Sequence, residues 1–202
     1  MTDIPILILA AGKSSRMGKS KALLKWNGTT LIESLVDKYN ILEKTILVVS
    51  GDNHEYLSRL HLKGSKIIQN FHWKNGMGKS IAVGVEFIIN NIKEAKGVFI
   101  LSVDQPFVSI SHLKQMESSF YSKGELSSII VSSSSKGYKG IPTLFGATYF
   151  KALSKLKDDR GAKSILIQHK RDIKFQTTNH LDLEDMDTPE MYKKLKTKLN
   201  HL

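Results

Sequence analysis

The chain has 202 residues, 41% hydrophobic and 24% charged, with no cysteine and a formal net charge of +11. That composition suits one folded domain with a full core and excludes disorder, disulfides, thiolate metal sites and a cysteine nucleophile. No apolar run approaches the roughly 18 residues of a membrane span, and the lysines are spread along the chain rather than interleaved with aromatics, so neither membrane nor nucleic acid is an expected partner.

The opening residues Met1-Thr2-Asp3-Ile4-Pro5 lack the basic region and cleavage site of a secretory leader, which points to the cytoplasm. Ile4 to Leu9 is a continuous apolar run, the pattern of a strand buried on both faces. Thr30 opens a helix: it is a capping residue, Glu33 follows three positions later, and Leu31, Leu35 and Ile41 continue an apolar face. A second strand is predicted over Thr45 to Val49, a short helix over Glu55 to Leu62 and a third strand over Ser65 to Gln69. Gly78 to Ile89 reads as a helix, Val98 to Val103 as a strand ending at Asp104, and Ser111 to Tyr121 as a helix. Ser127 to Ser132 is a further strand, running into the polar loop "SSSKGYKG" and the strand-like "IPTLFG". Helices are predicted from Thr148 and from Gly161, a weak strand near Ile173 and a last helix from Thr188. Strands separated by helices imply parallel crossovers and a three-layer α/β/α sandwich, with ligands at the carboxyl ends of the strands.

Three Gly-Lys-Ser triplets suggest a phosphate-binding P-loop. That motif needs four residues between its first glycine and Gly-Lys-Ser/Thr, whereas Gly12 and Gly18 enclose Lys13-Ser14-Ser15-Arg16-Met17. The extra residue changes which amides converge on the anion. The triplet at Gly78 to Ser80 has Trp73 where the leading glycine should be. The P-loop reading fails on spacing.

A different pattern fits. "LAAGKSSRMGKSKALL" resembles the opening signature of nucleotidyltransferases with a Rossmann-like, mostly parallel sheet of the nucleotide-diphospho-sugar transferase type. The resemblance is closest to the molybdenum-cofactor cytidylyltransferase-like branch. "NFHWKNGMGKSIAVG", "VFILSVDQPFVSISHL", "GYKGIPTLFG", "DDRGAKSIL" and "DMDTPEMYKKL" are similar to that branch's later segments, in order, from Leu9 to Leu195. The resemblance implies a single nucleotidyltransferase domain over 1–202. It further implies transfer of a nucleoside monophosphate from an NTP to a phosphorylated acceptor with release of pyrophosphate, and Mg²⁺ as the expected cofactor.

A phosphate monoester is largely ionised in the cytosol, so such a reaction needs charge neutralisation and positioning more than a strong base. Gly12, with Leu9, Ala10 and Ala11, offers backbone amides for close approach to phosphates. Arg16 is a natural fork for phosphate oxygens and Lys21 a point charge for the leaving pyrophosphate; the resemblance makes both the family's phosphate-binding cations. Asp104, at the end of an apolar strand, suits Mg²⁺, which takes one or two carboxylates beside phosphate oxygens and waters. "DMDTPE" offers Asp185 and Asp187 as a second acid, and by resemblance the second ligand is Asp187, directly before Thr-Pro; the same Asp-Thr-Pro-Glu also serves as a helix start. Met191 stands where the family often has another acid.

The resemblance also bears on substrates. Relatives using CTP carry Leu-Ala-Ala-Gly and those using GTP carry Leu-Ala-Gly-Gly, so Ala10-Ala11 leans toward CTP. Asn70 and Ser80 can donate hydrogen bonds to base or ribose, or be loop and helix residues; Gly76 and Gly78 let backbone pack close to the base. Gly140 and Pro142 match the acceptor-side G-x-P-x-x-F pattern, while Asp158 replaces an expected glycine. The expected acceptor is molybdopterin or its molybdenum-loaded form, with a molybdoenzyme as a further client. A sugar phosphate or other phosphorylated alcohol is the alternative acceptor, and a non-catalytic carrier of the cofactor the alternative of another class.

Overall fold

The computed structural model describes residues 4–12, 17–122, 125–157 and 159–199. Arg16 and Asp158, both singled out above, lie outside the described residues. Strands are β1 (Ile6–Leu9), β2 (Lys25–Trp26), β3 (Thr29–Thr30), β4 (Ile46–Ser50), β5 (Ser65–Gln69), β6 (Gly97–Ser102), β7 (Ile129–Ser134), β8 (Lys139–Gly146) and β9 (Ile173–Thr178). Helices are α1 (Leu31–Asn40), α2 (His54–Ser58), α3 (Met77–Asn91), α4 (Ile110–Tyr121), α5 (Phe150–Leu153), α6 (Lys163–Gln168) and α7 (Pro189–Leu199). Among the described residues no helix is long and apolar enough to cross a membrane.

Seven strands form one sheet in the order β5-β4-β1-β6-β8-β7-β9. β1 lies between β4 and β6 and is parallel to both, with Leu9 opposite Val49 on one side and Ser102 on the other. Every residue of β1 and β4 is buried, as their unbroken apolar sequences require. Alternate side chains serve opposite layers. Ile6, Ile8, Ile46, Val48 and Phe99 pack with Leu35 and Val36 of α1, Leu113 and Met116 of α4 and Leu195 of α7. Leu7, Leu9, Leu47, Val49 and Ile100 pack with Ile81, Val85 and Ile88 of α3, Leu153 of α5 and Ile165 of α6. The three-layer sandwich is therefore written in a period of two.

Local signals set the element ends. The Thr30 hydroxyl accepts the Glu33 amide and the Glu33 carboxylate accepts the Thr30 amide, a reciprocal cap worth about 1 kcal/mol. β1 begins at Ile6 rather than Ile4, because Pro5 has no amide hydrogen for the ladder. α2 stops at Ser58, short of the predicted Leu62, as the chain turns toward Gly64, which has a positive φ of 78°. Two features depart from the alternating pattern. β8 runs antiparallel between β6 and β7, so the sheet is mixed. The β2–β3 hairpin turns at Asn27-Gly28, both at positive φ, the dipeptide that such two-residue turns favour.

Candidate active site

The carboxyl ends of β1 and β6 are neighbours, and the loops that follow them, Ala10–Gly12 and Val103–Asp104, face one cleft of about 560 Å³. Leu9, Ala10, Ala11, Gly12, Lys21, Ser80, Asp104 and Asp187 line it, together with Trp73, Lys74, Gly76 and Met77. Ligands in open α/β sheets bind where neighbouring connections leave in opposite directions. β1 and β6 flank such a point.

The opening loop is braced from behind by Asn53. Its Nδ2 donates to the Ala10 carbonyl and to Ser20 Oγ, each at 2.9 Å, while its Oδ1 accepts the Gly51 amide at 3.0 Å. Ser20 precedes the single turn Lys21–Leu23, so Asn53 ties Ala10 of the opening loop to the start of the turn that carries Lys21. A Cβ at Gly51 would lie 2.8 Å from the Ala11 carbonyl oxygen and 2.8 Å from the Trp73 ring. This glycine is what lets the indole close on the loop.

Lys21 Nζ lies 2.9 Å from Asp104 Oδ2 and 2.6 Å from Asp187 Oδ1. Asp187 reaches this point because the Met186 amide donates to the Asp104 carbonyl at 2.9 Å, drawing the segment before α7 onto the end of β6. Burial opposes the charge on Lys21, but Asp104 and Asp187 more than offset it and hold the ammonium above its ordinary pKa. Asp185 sits close by; burial first, then Asp104, push its carboxyl up to about 6, against a hydrogen bond from Gln105. Among the described residues no group of three or more His, Cys, Asp or Glu is arranged to hold a metal ion. With the Asp185 carboxyl engaged by Gln105, the pair that converges on a cation is Asp104 and Asp187.

The N-terminus of α3 also faces the cleft, through Gly76, Met77 and Ser80, with no acid in its first turn. A fifteen-residue helix presents amides and the positive end of its dipole there. Gly76 begins it at a φ of 98°, and a Cβ there would lie 2.4 Å from Asp159 Cα. Lys74 Nζ stands 5.7 Å from the centre of the Trp73 ring at the cleft mouth. Backbone amides, a helix end and cations facing two carboxylates are groups able to receive a polyphosphate.

Other residues singled out in the sequence stand back from the cleft. Asn70 is buried behind Ser80, donating to its Oγ at 3.0 Å and accepting the His72 amide at 2.9 Å, so it shapes the loop rather than lining the cleft. Gly78 is buried in the first turn of α3 and does not line the cleft. Gly140 and Pro142 lie on β8, where the pairing with β7 shifts register after Val131. They reach the carboxylates through Tyr138. The Tyr138 hydroxyl donates to the Ile141 carbonyl at 2.8 Å and accepts from Gln105 Nε2 at 3.0 Å, over a Gly140 whose Cβ would approach that oxygen at 3.0 Å. Burial, then Asp185, push the phenol up to about 12, so it stays a neutral donor.

Asn53, Gln105 and Tyr138 carry no expectation from the sequence, whereas Asp185 is the acid offered there beside Asp187. Gln105 sits inside the D-Q-P segment, which is the signal that points to it; Asn53 carries none.

Residues 6–173 match the MobA-like NTP transferase domain. The chain belongs to that family. It is therefore a nucleotidyltransferase. This MobA-like transferase is 30% identical over 198 residues to the purine catabolism protein PucB of Bacillus subtilis (strain 168), covering 92% of each chain. It is 32% identical over 111 residues to a molybdenum cofactor guanylyltransferase of Xanthomonas euvesicatoria pv. vesicatoria (strain 85-10), a match spanning 54% of this chain and 51% of that one. The fold superposes on Rv0371c of Mycobacterium tuberculosis H37Rv with a TM-score of 0.79, at 22% identity, covering 97% and 99% of the two chains. A crystal structure of that mycobacterial protein in complex with manganese aligns at a TM-score of 0.74 and 21% identity, over the same shares of the two chains.

Proposed function

We propose that this transferase moves CMP from CTP to a phosphorylated acceptor, molybdopterin or its molybdenum-loaded form, and releases pyrophosphate. The observation that carries the reading is the meeting of Asp104, Asp187 and Lys21 at one point of a cleft walled by Gly12 and the start of α3. The amides of the opening loop and the end of α3 are proposed to receive the triphosphate, with Lys21 and Lys74 as cations lining the same cleft. Arg16 is proposed as a further phosphate fork from the same loop.

Asp104 and Asp187 fit a divalent cation. Their oxygens already converge on one positive group, and two carboxylates completed by phosphate oxygens and waters are the donor set that Mg²⁺ takes. When bound there, the ion neutralises charge on the phosphates that react and leave. The manganese complex of the mycobacterial protein supports a divalent ion in this fold. The acceptor is an ionised phosphate, so the chain need only orient it, and the wall formed by Gln105, Tyr138 and the Gly140–Pro142 segment is the proposed surface for it.

Ala10-Ala11 favours CTP. The half-length match to guanylyltransferases favours GTP as the second reading of the donor. The test is pyrophosphate release with each NTP, Mg²⁺ and a panel of phosphorylated acceptors. Turnover with CTP and molybdopterin supports the proposal; turnover with GTP alone moves the donor, and turnover only with a sugar phosphate replaces the acceptor.

A further inference from the structure

We infer that Lys21 holds the place of the divalent cation between Asp104 and Asp187, and gives it up only to the triphosphate, so that the enzyme takes metal and nucleotide together and binds free metal poorly. The inference rests on the proposed metal reading of the two carboxylates.

The geometry leaves little choice. Lys21 Nζ sits 2.9 Å from Asp104 Oδ2 and 2.6 Å from Asp187 Oδ1, the range of strong charge-assisted hydrogen bonds. A Mg²⁺ ion needs its oxygens at about 2.0–2.1 Å. An ion bound to the same two oxygens would then meet the ammonium at contact distance, with positive charge facing positive charge. The two occupants exclude one another.

Lys21 has somewhere else to go. It lies on a single turn that lines the same cleft as Gly12 and Ser80, where the phosphates are proposed to lie. A lysine offers three rotatable donors on a flexible stem, so it can exchange carboxylate oxygens for phosphate oxygens without moving its backbone. The exchange has an open side: the Lys21 side chain is 12% exposed but that of Asp187 is 43% exposed. Asp187 is the ligand that lets go first.

A purely structural ion pair, tying the Lys21 turn to the segment before α7, makes the opposite forecast. Removing the lysine would then loosen Asp187 and weaken any metal binding. If Lys21 is instead a competitor, removing it strengthens the binding of free metal while weakening nucleotide.

The experiment is a titration of Mn²⁺, read by electron paramagnetic resonance of the free ion, with and without α,β-methylene-CTP or α,β-methylene-GTP. Wild type should bind Mn²⁺ about 10-fold or more tightly with nucleotide than without, and nucleotide affinity should rise by the same factor with Mn²⁺, since such coupling is reciprocal. Lys21→Met and Lys21→Gln should each bind free Mn²⁺ about 10-fold more tightly than wild type, Lys21→Arg should not, and Asp104→Asn added to Lys21→Met should remove the gain. Equal or weaker free-metal binding in both Lys21→Met and Lys21→Gln overturns the competitor, as does a wild type that binds Mn²⁺ equally with and without nucleotide. Should Asp104→Asn leave Mn²⁺ binding with nucleotide unchanged, the metal reading itself falls and takes this inference with it.

Discussion

The main-chain amide of Met186 donates to the carbonyl oxygen of Asp104 at 2.9 Å. That bond joins the turn after β6 to the segment before α7, and it is why carboxylates from distant parts of the chain meet on one cation. The Met186 side chain is fully buried and anchors the crossing. Met186→Ala should cost about 2–4 kcal/mol of stability through the cavity it leaves. Urea unfolding reads that loss, and metal titration of the folded variant should show weaker binding as Asp187 loosens.

Asp104→Ala should abolish turnover and leave the fold intact. The carboxylate is at the rim of the cleft rather than in the core, and a fall of about 100-fold or more is the expected scale for removing a preorganised charge partner. Pyrophosphate release together with circular dichroism separates lost chemistry from lost structure. Near-normal rates would refute the metal assignment.

Asn53→Ala should strike the nucleotide side alone. It leaves the buried Gly51 amide and the Ala10 carbonyl without their partner, a loss of roughly 1–3 kcal/mol for each buried group left unsatisfied. The opening loop and the Lys21 turn then lose their common brace. The expected signature is a raised KM for NTP with a smaller change for the acceptor.

The central strands, the sandwich and the Thr30 cap were legible because each is a pattern along the chain: an apolar run, strands alternating with helices, a Thr with a Glu three residues on. The antiparallel β8 was not legible, since "IPTLFG" carries no mark of direction and its place between β6 and β7 is settled by the β7–β8 turn. The Asn27-Gly28 dipeptide carries the signal of a two-residue hairpin, a feature outside the alternation of strands and helices. In the site, Lys21, Asp104 and Asp187 stand on recognisable motifs, and the fold brings them together. The Gln105–Tyr138 link joins residues 33 apart in the chain, which no spacing in the sequence encodes. Asn70 looked like a ligand residue because it opens the Asn-x-x-Trp segment that ends at Ser80; in the structure its amide is spent on Ser80 and on the loop it supports.

Gly76→Ala should destabilise the protein and blunt nucleotide binding. The new Cβ would meet the Asp159 backbone at 2.4 Å, from a residue held at positive φ, where strain costs about 1–3 kcal/mol. The start of α3 must shift to relieve it. Calorimetric nucleotide affinity and urea unfolding should move together in this variant.

Lys38 on α1 gives a pH-dependent prediction. Burial pushes its amine down to about 8, Asp182 acts against that, and Nζ donates to the Pro106 carbonyl at 3.2 Å. Below that pKa the folded state carries the full cost of a poorly solvated charge. Between about 8 and the unfolded value of 10.5, the unfolded chain binds more protons than the folded one, so stability rises with pH. Lys38→Met should therefore be more stable than the parent by roughly 1–2 kcal/mol near neutral pH, after discounting for the hydrated part of the side chain. The gap should close as pH climbs through that window, as paired urea titrations would show.

The place of β8 has a consequence for how this enzyme can vary. On one half of the sheet, β1, β4 and β5 are parallel, so each is followed by a crossover that must pack against a face before the next begins. On the other half, β7 returns directly into β8 through a tight turn whose Gly137 amide closes on the Ser134 carbonyl. That turn opens at the same edge as the cleft and answers to no helix. Lengthening it costs little, because closure entropy grows only slowly with loop size. Insertions there could reshape what is received without disturbing the loop and helix end proposed to hold the donor.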